Sequence, residues 1–184
     1  MSEENWLLLM DPGWEPEDER EPPPLQAVVG VWAVGEGGSV GKFQANPDYV
    51  PSDESSPSDP VDAALRLVLR GELPIEQARG VLAEVLVDVA MNGDGRPLVV
   101  KSPDDVPCVV VCTGQPHRDR VAAPDWRRTD LAGLDGLMGE FDCLINPGGP
   151  AAIRLAGDFL RGTGRETPEA GGSSGTVAAE RVRG

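Results

Sequence analysis

Few residues in this 184-residue chain can do chemistry by type and spacing. Cys108 and Cys112 lie four apart, His117 follows Cys112 by five residues, and Asp119 follows His117 by two. A thiolate activated by an imidazole would be the chemistry of that group. Geometry argues against a joint thiol site. Cys108 to Thr113 reads as a strand, where positions i and i+4 share a face but lie about 13 Å apart at ~3.3 Å per residue. A disulfide needs Cα atoms within about 7 Å, and one zinc with Zn–S bonds of about 2.3 Å cannot bridge the gap. The thiols read better as small buried apolar side chains. Cys143, on another strand, can meet one of them, and an intracellular setting would keep both reduced. His117 reads as a loop residue with no local peptidase signature. No catalytic residue, metal ligand or cofactor is assigned.

Two further groups have a chemical reading. Asn146-Pro147-Gly148-Gly149-Pro150 resembles a phosphate nest, but it has neither the P-loop nor the dinucleotide fingerprint. Its prolines also lack the N–H groups an anion needs. A rigid turn closing a strand is the expectation. The carboxylates are plentiful: 31 Asp+Glu against 16 Lys+Arg, a net charge of −15, with an isoelectric point near 4.3. That balance argues against nucleic-acid backbones and anionic membranes, which bind through Lys and Arg. Residues 1–22 hold eight Asp/Glu against Arg20 alone. Such runs are solvated surfaces or fields that steer a basic partner. The candidate partner-binding residues are Trp14, Glu15, Glu17, Asp18 and Glu19, an aromatic anchor among steering charges. Tyr49 and Trp126 read as loop anchors.

The elements that would position these groups follow from pattern. Trp6 to Met10 is a short apolar run stopped by Asp11-Pro12-Gly13, read as a buried strand. Ala27 to Val34 has strand composition, Gly35 to Ser39 is turn material, and Val40 to Gln44 returns as a hairpin partner. Asp59-Pro60 is a helix start. Val61, Ala64, Leu65, Val68 and Leu69 form one apolar stripe, ended by Gly71. Pro74 opens a second helix with the stripe Ile75, Ala78, Leu82, Val85, Leu86 and Val89, stopped by Asn92-Gly93-Asp94-Gly95. Strands are expected at Leu98–Lys101, Cys108–Thr113 and Phe141–Ile145, with an edge strand at Ile153–Leu155. Thr129 is expected to cap a short helix through Leu131, Leu134, Leu137 and Met138, and Asp158–Arg161 to form a helical turn. Gly 23 and Pro 18 together make 41 residues, near the level of low-complexity chains, so loose ends are expected.

Together, Val28–Trp32, Gly41-Lys42-Phe43-Gln44-Ala45-Asn46-Pro47-Asp48-Tyr49 and Pro57-Ser58-Asp59-Pro60-Val61-Asp62-Ala63 resemble the actinobacterial type VII secretion system-associated protein family. Arg96–Val99, Val106–Val109, Asn146-Pro147-Gly148 and Ala151–Leu155 continue the resemblance. The second half also resembles the SseB-like domain, whose members carry a strand ending in an Asn-Pro-Gly turn. The likeness spans about residues 6–161. Its motifs are turn and strand signatures, so it carries over no catalytic residue. It implies an accessory protein acting beside a type VII (ESX-like) secretion apparatus.

The expectation is an α+β fold in a single domain over 1–161. A β-rich part with short antiparallel strands spans 1–58, a helical hairpin 59–91, and an SseB-like part with a mixed sheet and a covering helix 96–161. A disordered tail follows over 162–184. Leu82, Leu86, Val109, Val111 and Leu144 are the expected core residues. The first ten residues have no positive region and too short an apolar stretch for a secretory signal. No apolar run nears the ~20 residues of a membrane helix. The expected protein is cytoplasmic, non-enzymatic and without cofactor. Its expected partners are proteins, type VII secretion components or substrates, rather than nucleic acid, and membrane insertion is not expected. The alternative is a stand-alone SseB-like interaction module with no secretion role.

Overall fold

The computed structural model describes residues 5–15 and 22–162, and the backbone of 179–181. It is an α+β fold whose elements fall into two compact units, residues 1–85 and 86–184.

In the first unit, Asp59 starts helix α1 (Pro60–Arg70) by accepting from the backbone N–H groups of Val61 and Asp62 at 3.0 and 2.9 Å. This satisfies two of the donors that every helix start leaves open. Gly71, at φ +76°, ends the helix in the left-handed conformation that glycine adopts without strain. Pro74 precedes α2 (Ile75–Ala83), and the two helices pack together. The expected hairpin is present but ends earlier than residue 91. Val85, Leu86 and Val89 continue the helical spacing, yet Val87–Met91 is an extended strand, β4.

Three antiparallel strands complete this unit in the order β1 (Asn5–Met10), β2 (Val28–Val34), β3 (Val40–Ala45). α1 packs against β1 and β2, and α2 against β3. Leu7, Trp32 and Phe43 lie opposite one another across the strands. The Trp32 and Phe43 rings sit 5.0 Å apart and are buried. Beside them Gly30 cannot carry a side chain, because a Cβ there would stand 2.1 Å from the Phe43 ring. β1 departs from expectation in burial. Leu9 is buried, but Trp6, Leu7 and Leu8 remain 45, 40 and 40% exposed. They sit on an outer strand, where one flank of every side chain lacks a neighbour.

The second unit is a mixed sheet in the order β10-β9-β8-β6-β4-β7, with β5 also paired to β6. The strands are β4, β5 (Val99–Lys101), β6 (Pro107–Cys112), β7 (Asp125–Thr129), β8 (Asp142–Ile145), β9 (Ile153–Leu155) and β10 (Ala179–Arg181). Among the described residues only β6 and β8 pair in parallel, and the other pairs are antiparallel. Three helices accompany them: α3 (Gln115–Arg118), α4 (Leu131–Met138) and α5 (Gly157–Arg161). Every residue of β4 is buried, and the strand pairs with β6 and β7. That two-sided pairing, together with β-branched Val87 and Val89, outweighs helical spacing. α4 covers the sheet through fully buried Leu134 and Met138. Its cap is Asp130, which accepts from Gly133 N at 2.8 Å, whereas Thr129 ends β7, an element the polar DWRRT segment did not announce. The expected tail lies outside the described residues except for β10, which pairs with β9.

Of the expected core residues, Leu82, Val109, Val111 and Leu144 are at most 4% exposed, whereas Leu86 is 52% exposed in the link between α2 and β4. Chemical denaturation separates the two leucines. Leu82→Ala should cost about 2–5 kcal/mol, and Leu86→Ala should stay within about 0.5 kcal/mol of wild type. Equal losses would contradict this placement.

Candidate functional site

β1 ends in a turn set by one buried carboxylate. Asp11 is 2% exposed. Its backbone N–H donates to Ala27 O, and its carbonyl accepts from Trp14 N, both at 2.9 Å. Its side chain accepts from Gly13 N at 2.9 Å, from the Tyr49 hydroxyl at 3.2 Å and from the Ser52 hydroxyl at 3.4 Å. Tyr49 also donates to Pro57 O at 2.8 Å. Burial, and next the Asp11 charge, hold the phenol far above its ordinary range, so it stays a neutral donor.

The serine-rich loop behind this turn is fastened to α1 by a second buried carboxylate. Asp62 is fully buried and grips Arg66 through two contacts, Nη2 at 2.9 Å and Nε at 3.3 Å, while accepting from Ser58 N at 3.0 Å. Arg66 also donates to the carbonyls of Ser55 and Ser56. Asn46 fixes the other end of the loop. Its amide donates to Leu25 O and Val28 O, both at 2.8 Å, and its carbonyl oxygen accepts from Asp48 N. The edge of β1 and the Asp11–Trp14 turn therefore stand on a braced support.

Among the predicted binding residues, Trp14 is half-buried at this turn and Glu15 is exposed beside it. Glu17, Asp18 and Glu19 lie outside the described residues. Sequence reasoning missed the exposed apolar side chains of β1, and it missed Asp11 as the residue that fixes the turn. The latter had one visible signal, an Asp-Pro-Gly stop directly after an apolar run.

The groups in the second unit are held in structural roles. All three cysteines are buried and unbridged. The pairing Val109 with Cys143 places Cys143 on the face opposite Cys108 and Cys112, since strand residues alternate sides. The approach of Cys143 to either partner is thereby corrected. Burial pushes the thiols of Cys108 and Cys143 up, away from thiolate chemistry. His117 is on α3, not in a loop, and is 2% exposed, with Nδ1 3.3 Å from the Arg120 guanidinium. Asn146, at φ +50°, donates to Val111 O and accepts from Thr113 N, tying the ends of the parallel strands together. Gly149 N is taken up by Asn146 O, in keeping with a rigid turn. Tyr49 is a loop anchor as expected, whereas Trp126 is on β7, with the Arg118 guanidinium 4.9 Å above its ring.

One concavity of about 450 Å³ opens among Pro97, Leu98, Val99, Leu137 and Phe141, with Asn92 and Arg96 also lining it. Asp94 already engages Arg96, with a 2.9 Å bond from Nε. The walls can hold an apolar group. Among the described residues, no three His, Cys, Asp or Glu side chains converge on a metal position, and no helix is long and apolar enough to cross a membrane. No protein-family model, curated protein or solved structure matches the chain.

Two measurements test this geometry. The folded Tyr49 pKa lies above its unfolded value of 10.0. The unfolded chain therefore releases that proton first, and stability that is intact below pH 10 falls as the pH rises beyond it. Tyr49→Phe should cost about 1–2 kcal/mol at pH 7 and flatten the alkaline decline in denaturant titrations. A decline as steep as wild type would remove Tyr49 as its source. Thiol titration of the native chain should proceed only at the pace of unfolding, and rapid labelling of Cys112 would contradict its burial.

Proposed function

We propose that this chain is a non-enzymatic accessory or adaptor that works by protein–protein binding in the cytoplasm, in association with a type VII (ESX-like) secretion apparatus. One observation carries the binding half of this reading. β1 presents Trp6, Leu7 and Leu8 to solvent on an outer strand of a strongly acidic chain. Exposed apolar residues clustered on one element mark interaction surfaces far more often than scattered ones. The braced turn after β1 holds Trp14 beside Glu15, an aromatic next to a charge.

The secretion half rests on the sequence resemblance. Asn46 and Tyr49 in the first half and Asn146 in the second, which belong to the resembling segments, each close a set of part-buried hydrogen bonds. Those segments thus have physical reasons to be what they are.

The test is affinity capture from the native host with the tagged full chain, washed at low and moderate salt, with partners identified by mass spectrometry. Enrichment of type VII secretion components is the expected result. Reproducible partners with no secretion component among them would leave a stand-alone interaction module, and an empty capture with intact, abundant bait would count against binding altogether.

A further inference from the structure

Outer strands invite unwanted pairing, and most of those in this protein are blunted. β3 exposes Lys42 and Gln44, β7 exposes Arg127 and Arg128, and β5 is three residues long with Lys101 tied to Asp105 at 2.7 Å. Charges and short lengths of this kind discourage a further strand. β1 has neither protection. It is six residues long, pairs with β2 alone among the described residues, and leaves Trp6, Leu7 and Leu8 between 40 and 45% exposed. By register, Trp6 and Leu8 stand on one face opposite Ala33 and Val31, and Leu7 on the other opposite Trp32.

We propose, building on the protein-binding reading above, that β1 is the docking edge and takes one occupant: an extended partner segment that adds as a fourth strand, with β-branched or aromatic side chains at alternate positions and Lys or Arg among the rest. The backbone supplies the attraction, since an outer strand offers a row of donors and acceptors on its free side. Its exposed side chains select the apolar positions through cross-strand contact. Charge selects the basic ones. Exposed Glu15 stands just beyond the turn that ends β1, on a chain of net charge −15. A second copy carries the same net charge of −15, so self-pairing through this edge is opposed where a basic segment is drawn in.

The test uses the full chain and a capped nine-residue peptide of repeating Lys-Val-Thr-Val order. One comparison peptide has Glu in place of Lys, and another is N-methylated at alternate residues along one edge to remove backbone donors. Anisotropy of the labelled peptide reads affinity, and amide exchange reads protection along β1. The basic peptide should bind at least about tenfold tighter than the acidic one at low salt. N-methylation should weaken it by about tenfold through lost backbone bonds. Raising salt from about 50 to 500 mM should weaken it severalfold as the screening length shortens. Leu8→Lys, at an exposed position that tolerates charge, should lose both binding and β1 protection while keeping the wild-type melting temperature.

Equal binding of the N-methylated peptide overturns strand addition, and absence of β1 protection at millimolar basic peptide overturns the site. A concentration-dependent dimer broken by Leu8→Lys would replace the occupant with a second copy. Native-host partners retained equally by wild type and Leu8→Lys would sink this edge while leaving the protein-binding reading intact.

Discussion

The first unit depends on two carboxylates taken out of water. Burying a charge costs several kcal/mol unless hydrogen bonds and a counter-charge replace its hydration. Asp62 meets that demand with Arg66 and Ser58 N; Asp11 meets it with Gly13 N and the Tyr49 and Ser52 hydroxyls. Apart from Arg66 on α1, each donor comes from a segment outside the regular elements. Satisfying the charges therefore orders the Pro/Ser-rich loop, and that loop in turn fixes the end of β1. Removing one donor leaves the remaining bonds to carry the charge at a cost of about 1–3 kcal/mol, so the network is more than a sum of independent contacts.

The second unit meets a related demand with a neutral group. β6 and β8 run parallel, so their ends cannot be joined by a tight hairpin, and the carbonyls and N–H groups there need partners. Asn146 supplies them with its backbone and its amide, and adopts the left-handed conformation that asparagine tolerates better than most residues. Strand alternation also explains the cysteines. Once Val109 faces Cys143, the thiols are divided between two faces of the sheet, and burial raises the pKa of Cys108 and Cys143.

How much of this was legible follows from where each signal resides. α1 was readable end to end because its start, stripe and stop are all local: Asp59-Pro60, the spacing from Val61 to Leu69, and Gly71. β4 was not, because Val85, Leu86 and Val89 satisfy helical spacing, while its strand character comes from partners distant in sequence. β7 failed for the opposite reason, since its exposed Asp-Trp-Arg-Arg-Thr lacks the apolar alternation that announces a half-buried strand. In β1 the element was legible and its burial was not, for sheet order alone decides whether Leu7 meets a neighbour on both flanks. The candidate site shows the same division. Composition pointed to the acidic N-terminal region around Trp14 and Glu15, but the Asp11 network and the exposed edge needed tertiary information.

An apolar edge can persist in a strongly acidic chain only if something other than its own side chains opposes indiscriminate pairing, and the magnitudes show what. Net charge acts weakly at range, because screening at physiological salt sets in within about 8 Å. Glu15 and the net charge of −15 bear on whatever approaches closely. One cross-strand side-chain pair contributes about 0.2–1 kcal/mol, so even a modest electrostatic bias tips the choice of partner without forbidding pairing outright. Charge placed beside the strand rather than on it leaves the edge available and makes its use conditional on the sign of what approaches.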